Sequence, residues 1–190
     1  MNNATPCRRG IILDFAKWTA LSATRSGAPI KSRLDVYAVL EQVHFPTVLN
    51  GTVPIPATEF DHWHEETAAL MRHGDQPLVT GWAVKLLNIY LKTAAYVGEL
   101  GRPGLRSVLH PPIDGGLWAG LAEHFGSTSS LVEETNHVMR IKDITDYSSY
   151  KRIIAGCRLA ATELGCDLIE VEQLWQGTRV PAVPTIRSRR

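Results

Sequence analysis

The sequence predicts a mainly α fold, built as one compact single-domain helical bundle. Three observations carry this prediction. Apolar residues recur at helical spacing in successive blocks. Strict alternation of apolar and polar residues, the mark of a half-buried strand, is scarce. Connections rich in Pro and Gly separate the blocks. The composition agrees, since 190 residues that are 44% hydrophobic and 21% charged can bury a sizeable core.

The elements follow in chain order. Ile11 to Ala23 is expected to form the first helix and Ile30 to Val43 the second, with Leu34, Tyr37, Ala38 and Leu40 on one face. Phe45 to Pro56 holds three prolines and an Asn-Gly pair, so it is expected to be a loop. Thr58 is placed to cap the next helix, with Asp61 three residues on, and Phe60, Trp63, Thr67, Leu70 and Met71 are expected to face inward. A long helix starts at Gly81. Gly101 to Pro112 is expected to be a loop, and Asp114 to cap a helix ending near Phe125. The polar run from Gly126 to Ser130 is expected to be a loop as well. Thr145 is expected to cap a helix over Tyr147 to Leu164, and a short helix over Glu170 to Trp175 ends at Gly177. The domain is thus expected to span 1–177, with 178–190 as a basic, disordered tail.

Charge and cysteine content narrow the function classes. Lys and Arg number 20 against 19 Asp and Glu, so a globally basic coat for nucleic acid is absent, while a local basic face is allowed. Cys7, Cys157 and Cys166 form neither a disulfide framework nor a zinc pattern, which favours a reducing, cytoplasmic setting. No membrane span is expected, because the most apolar stretch, Leu78 to Leu100, carries Lys85 and Lys92. The opening residues lack the apolar core of a secretory leader. His62 and His64 point to different faces of a helix, and no HExxH motif is present, so no metal or other cofactor is expected.

The most informative segment is GWAVKLLNIYLKTAAYVGEL, from Gly81 to Leu100. It is apolar on nearly every face and belongs at the centre of the core. Lys85, Asn88 and Lys92 interrupt it at spacings of three and four, which align them on one stripe. The stripe is either a solvated face or the lining of a cleft. In a cleft, a lysine in the first turn of a buried helix meets the positive end of the helix dipole and partial desolvation. Both disfavour the ammonium form and favour a nucleophilic amine. Free N–H groups at the helix start, beyond Gly81, would bind phosphate. Glycine there equally suits close packing.

The second informative segment is HPPIDGGLW. Pro111 and Pro112 stiffen the approach to Asp114, and His110 is restricted by the proline after it. Asp114 reads as a helix cap. A carboxylate fixed in this way also suits stabilising a developing positive charge beside a lysine. His110 is either a second polar group in that corner or a loop residue.

These two segments resemble the helix-hairpin-helix DNA glycosylase superfamily, in particular enzymes like the 8-oxoguanine DNA glycosylases. In that family a glycine-containing hairpin leads into a helix that carries a catalytic lysine near its start. A catalytic aspartate follows after a loop and caps the next helix. The resemblance covers about residues 77–125. It implies a helix-hairpin-helix-like element, with Lys85 as the Schiff-base lysine and Asp114 as the aspartate. Gly81 and Ala83 would offer N–H groups to a DNA phosphate, with Asn88, Lys92 and His110 as further binding residues. Trp118, like Trp82 or Tyr90, would supply a stacking surface. Ala83 stands where the family has its second hairpin glycine, Gly116 where several members have histidine, and the 29 residues from Lys85 to Asp114 exceed the family's spacing. The function implied is a DNA-repair glycosylase, a hydrolase with possible lyase activity, whose partner is DNA. The alternatives are a non-enzymatic module that binds nucleic acid or protein through the Lys85/Asn88/Lys92 stripe, and an enzyme acting on a small phosphorylated molecule.

Overall fold

The structure is a computed structural model, which describes residues 5–25, 27–73 and 77–177. The expected tail, 178–190, lies outside the described residues. Among those described the chain is helical without strands. The α-helices are α1 (Pro6–Ser22), α2 (Arg33–Glu41), α3 (Pro46–Leu49), α4 (Ala57–His73), α5 (Thr80–Leu91), α6 (Leu105–Val108), α7 (Gly115–Phe125), α8 (Ser130–Thr135) and α9 (Tyr147–Leu164). A π turn (Lys92–Val97) continues α5, and a 3₁₀ helix (Leu168–Leu174) closes the described chain.

Local chemistry sets most of these boundaries. Thr5 caps α1, and Pro6 starts it where a missing N–H costs nothing. Ser32, Ser129 and Asp146 each accept a backbone N–H at the start of α2, α8 and α9. Gly165 ends α9 in the left-handed conformation. Asp167 and Glu170 form a reciprocal capping box on the 3₁₀ helix.

Several expectations are corrected at this level. α1 starts five residues earlier than Ile11, because Thr5-Pro6 is a stronger start signal than the apolar periodicity. Leu34 is exposed, and Val36, Val39 and Leu40 form the buried face of α2. Leu70 is exposed as well, while His64 takes a core position on α4. Short helices α3 and α6 lie inside the two expected loops, and α8 follows the polar run. Asp146, rather than Thr145, caps α9. The long central helix keeps α geometry only to Leu91 and then widens, with Gly98 N–H reaching back to Thr93 O at 2.9 Å.

Two apolar clusters meet along α5. One is formed with α1, α2 and α4 and takes Trp82, Ala83, Leu86, Leu87 and Leu91 from α5. The other, with α7, α8 and α9, takes Val84. Buried on nearly every side, α5 packs against α1, α4, α9 and the π turn. Its polar residues therefore lie at the seam between the clusters.

Gly120 shows how close the packing is on the second side. A Cβ there would stand 1.9 Å from Leu174 O, so α7 touches the 3₁₀ helix through bare backbone. Gly120→Ala is expected to lower stability by about 1–3 kcal/mol. Gly10→Ala, on the exposed side of α1 with nothing near its Cβ, is expected to raise it by up to about 1 kcal/mol. Urea unfolding of the two variants checks both signs.

Candidate functional site

The site is built where α5 meets the start of α7. Lys85 lies in the second turn of α5, because the helix begins at Thr80. Its residue is 5% exposed. Nζ lies 3.3 Å from Asp114 Oδ2 and 5.4 Å from the centre of the Trp82 ring. Asp114 caps α7, its Oδ1 accepting Gly116 N–H at 3.0 Å and Leu117 N–H at 3.3 Å. The same oxygen accepts the indole N–H of Trp175 at 2.8 Å. One carboxylate oxygen is thus committed to holding the helix, and the other faces the lysine. The pair opens onto a cleft of about 320 Å³ rimmed by Gly115, Gly116, Met139, Arg140 and Trp175.

The other expected site residues have different places. The Gly81 N–H donates to Ile144 O at 2.9 Å, and a Cβ on Gly81 would stand 1.9 Å from Ile141 O. The Ala83 N–H donates to Val79 O at 3.1 Å, and Ala83 is fully buried. Neither N–H is turned toward a ligand, and Gly81 is a close-packing residue. Asn88 is 1% exposed and Trp118 is buried with its indole N–H on Thr135 O at 2.8 Å. Trp118 therefore backs the cleft from within the core instead of offering an open stacking face. Trp82 and Tyr90 are buried too, Tyr90 stacked on Phe45.

Lys92 reaches a second, larger cleft of about 590 Å³ on the far side of Trp175. Its Nζ lies 2.6 Å from Glu172 Oε1. Burial raises the Glu172 carboxyl above the usual carboxylate range. The Lys92 charge opposes this shift and Asp114 reinforces it. The three polar residues of the stripe share one face. Lys85 and Asn88 are buried there, while Lys92 stays partly exposed beside Glu172 at the larger cleft.

His110 is buried, as is His64, and both belong to one hydrogen-bonded chain through the core. Asn88 Nδ2 donates to Pro111 O at 3.1 Å and to Tyr150 Oη at 2.8 Å. Because the Pro111 carbonyl can only accept, the amide orientation is set, and Asn88 Oδ1 accepts from His64 Nε2 at 2.8 Å. His64 Nδ1 then accepts the Tyr147 hydroxyl at 2.7 Å. In the other direction Tyr150 donates to His110 Nδ1 at 2.9 Å, and His110 Nε2 donates to Asp61 Oδ1 at 2.9 Å. Arg158 closes the chain on Asp61 at 2.7 Å. Every bond has one donor and one acceptor when both imidazoles are neutral.

The electrostatics agree with that proton assignment. Burial pushes His64 well below the usual imidazole range, helped by His110 and opposed by its bond to Asn88 and by Asp61. Burial also lowers His110, against the pull of Asp61. Burial raises both Tyr147 and Tyr150, which keeps them neutral donors. For Asp61 burial works upward, but His110 and Arg158 outweigh it and the carboxyl lies below its usual range.

The sequence reading missed His64, Tyr150, Trp175 and Glu172 as partners of the site. Tyr150 and His64 carried only the helical spacing that marks them as inward-facing. Nothing local to Trp175 or Glu172 pointed to Asp114 or Lys92. Among the described residues no grouping of His, Cys, Asp and Glu is placed to hold a metal ion, and no helix is long and apolar enough to cross a membrane. No family model, characterised protein or solved structure matches the chain.

The buried imidazoles set a pH dependence. In the folded state they stay neutral below the pH at which unfolded histidine, near 6.5, takes up a proton. Their contribution to stability is complete above about pH 6.5 and is lost as pH falls toward the folded-state values. The melting temperature is expected to fall from about pH 6.5 downward, and His64→Gln to reduce that slope. Thermal melts above and below about pH 6.5 check this, and an unchanged slope in His64→Gln would assign the acid limb elsewhere.

Proposed function

We propose that the chain is a DNA glycosylase of the helix-hairpin-helix kind, in which Lys85 attacks the sugar C1′ of a damaged nucleotide and Asp114 stabilises the charge. The observation that carries this reading is the 3.3 Å contact between Lys85 Nζ and Asp114 Oδ2 at the edge of an open cleft. The two residues are 29 apart in the chain and are the same two that the sequence resemblance singles out. A buried lysine paired with a helix-capping carboxylate is costly to maintain for stability alone. Beside a cleft it supplies an amine and a fixed negative charge where a cationic transition state needs them.

The chemistry follows from the pair. The Lys85 ammonium gives a proton to the departing base as the bond from C1′ to the base breaks. The base leaves with the bonding electrons, and positive charge develops on C1′ and O4′ beside the Asp114 carboxylate. The amine, now neutral, bonds to C1′. Asp114 moves a proton from that nitrogen to O4′, the sugar ring opens, and a C=N iminium remains. Water releases it, or borohydride reduces it to a stable adduct. An extruded base pays only for unstacking, least where it is damaged or mismatched. With Gly81, Ala83 and Asn88 turned inward, the cleft rim with Arg140 is the surface offered to the phosphates.

Borohydride trapping on duplexes bearing abasic, 8-oxoguanine and uracil sites tests the reading. The wild type is expected to form a covalent adduct, and Lys85→Ala to form none while keeping its fold. An adduct of equal yield in Lys85→Ala would remove Lys85 from the reaction. Salt-sensitive binding without any turnover would instead support a binding module.

Asp114→Asn separates charge from capping. Asparagine caps a helix about as well as aspartate and still accepts the Trp175 N–H. The variant is therefore expected to keep its helix content and duplex affinity while its single-turnover rate falls about a hundredfold or more. A rate within about threefold of wild type would leave Asp114 as a cap alone.

A further inference from the structure

The segment His110–Asp114 must be held against α5 for Lys85 and Asp114 to meet, and two rungs do this. One is the ion pair itself. The other lies three residues away on each side, where Asn88 on α5 donates to the carbonyl of Pro111. Lys85 and Asn88 share one helix face. Pro111 and Pro112 supply no N–H and have restricted backbones, so the strand-like approach to Asp114 has few other ways to be fastened. Asn88 is itself locked. His64 fixes its oxygen, Tyr150 fixes its second N–H, and Tyr150 also holds the ring of His110, at the start of the same segment.

We propose that Asn88 is a positioning residue that sets the separation of Lys85 and Asp114 through the Pro111 carbonyl, with Tyr150 and His64 fixing its amide. Asn88 is buried in the core and takes no part in bond making. It acts by fixing the backbone three residues before Asp114, so that the carboxylate meets the amine without searching. Such registration matters because a displacement of about 1 Å at reacting groups can cost about a hundredfold in rate. For its consequence in catalysis the inference rests on the Lys85–Asp114 reading. Its structural content does not, because the state of the ion pair can be read without DNA.

The test follows the reactivity of Lys85 by reductive methylation with formaldehyde and a borane. Labelling of the Lys85 peptide is quantified by mass spectrometry as a function of pH. In the wild type Lys85 is expected to be the slow lysine. Asn88→Ala removes three buried hydrogen bonds, of which the one to Pro111 holds the segment. Loss of that one is expected to speed Lys85 labelling about tenfold and to move the pH profile. Tyr150→Phe keeps the ring in the core and removes the hydroxyl, which binds both the Asn88 amide and the His110 ring at the start of the same segment. It is expected to act in the same direction, and it decides the matter should Asn88→Ala fail to fold. Tyr147→Phe, at the far end of the chain beyond His64, is expected to leave Lys85 labelling as in the wild type although it too loses a hydrogen bond. A folded Asn88→Ala, or a folded Tyr150→Phe, that labels Lys85 at the wild-type rate at every pH overturns the proposal. The same result follows if Tyr147→Phe speeds labelling equally, since a general loosening would then explain it. In parallel, trapping on an abasic duplex should slow in Asn88→Ala with little change in duplex affinity. If the wild type traps no duplex, the glycosylase reading fails while the labelling result still decides the role of Asn88.

Discussion

A helix buried on every side cannot leave its polar side chains without partners. That constraint organises the molecule around α5. Thr80 donates to Thr145 O, Lys85 pairs with Asp114, Asn88 binds Pro111, Tyr150 and His64, and Lys92 pairs with Glu172. The partners come from four stretches of chain, so satisfying α5 also fixes α4, the approach to α7, the start of α9 and the 3₁₀ helix relative to one another. An unmatched buried donor or acceptor costs about 1–3 kcal/mol, more when charged. Apolar packing alone would tolerate small slides of these elements, whereas the polar contacts admit one register. No buried side-chain polar atom among the described residues is left without a partner.

Asn88 and Lys85 are neighbours on one face but solve this problem differently. Asn88 is neutral and has both a donor and an acceptor to place, so the core can absorb it completely through Pro111, Tyr150 and His64. Lys85 carries only donors, and the carboxylate that meets it belongs to a helix cap at the rim of a cleft. The cleft offers water on one side of the pair, which eases its desolvation and exposes it to whatever enters. Lys92, one turn beyond Asn88, repeats the pattern with Glu172 beside the larger cleft, and Trp175 stands between the two.

The helical class, the central place of α5 and the cap at Asp114 were legible because each rests on local rules. Apolar residues on nearly every face from Trp82 to Leu91 require burial, and an aspartate after Pro-Pro-Ile and before Gly-Gly-Leu-Trp reads as a cap without knowledge of the fold. The spacing of Lys85, Asn88 and Lys92 was also legible, but not which element would cover it. Gly81 shows the limit well. A glycine at a helix start serves either an anion or a neighbouring backbone, and only the path of Ile141 to Ile144 decides for the backbone. His64 was hidden for a related reason. Its sequence neighbours His62, Glu65 and Glu66 suggest a polar surface, while its position on α4 is interior, and its partners lie 24 and 83 residues away. Trp175 had no local mark at all, since its indole meets Asp114 from 61 residues away.

The placement of Trp175 bears on what the pair can do. Asp114 Oδ1 accepts three donors, from Gly116, Leu117 and Trp175, and Oδ2 meets Lys85. A carboxylate held by one oxygen at a helix start cannot swing away when its partner's charge changes. If Lys85 gives up its proton or forms a bond, the negative charge stays aimed at the same point in the cleft. A freely rotating side chain would have to be reoriented at that moment, at a cost to the barrier that a preorganised group avoids. Capping and the proposed catalysis thus call for the same immobility in Asp114, and the indole N–H adds a third restraint that helix capping alone does not require.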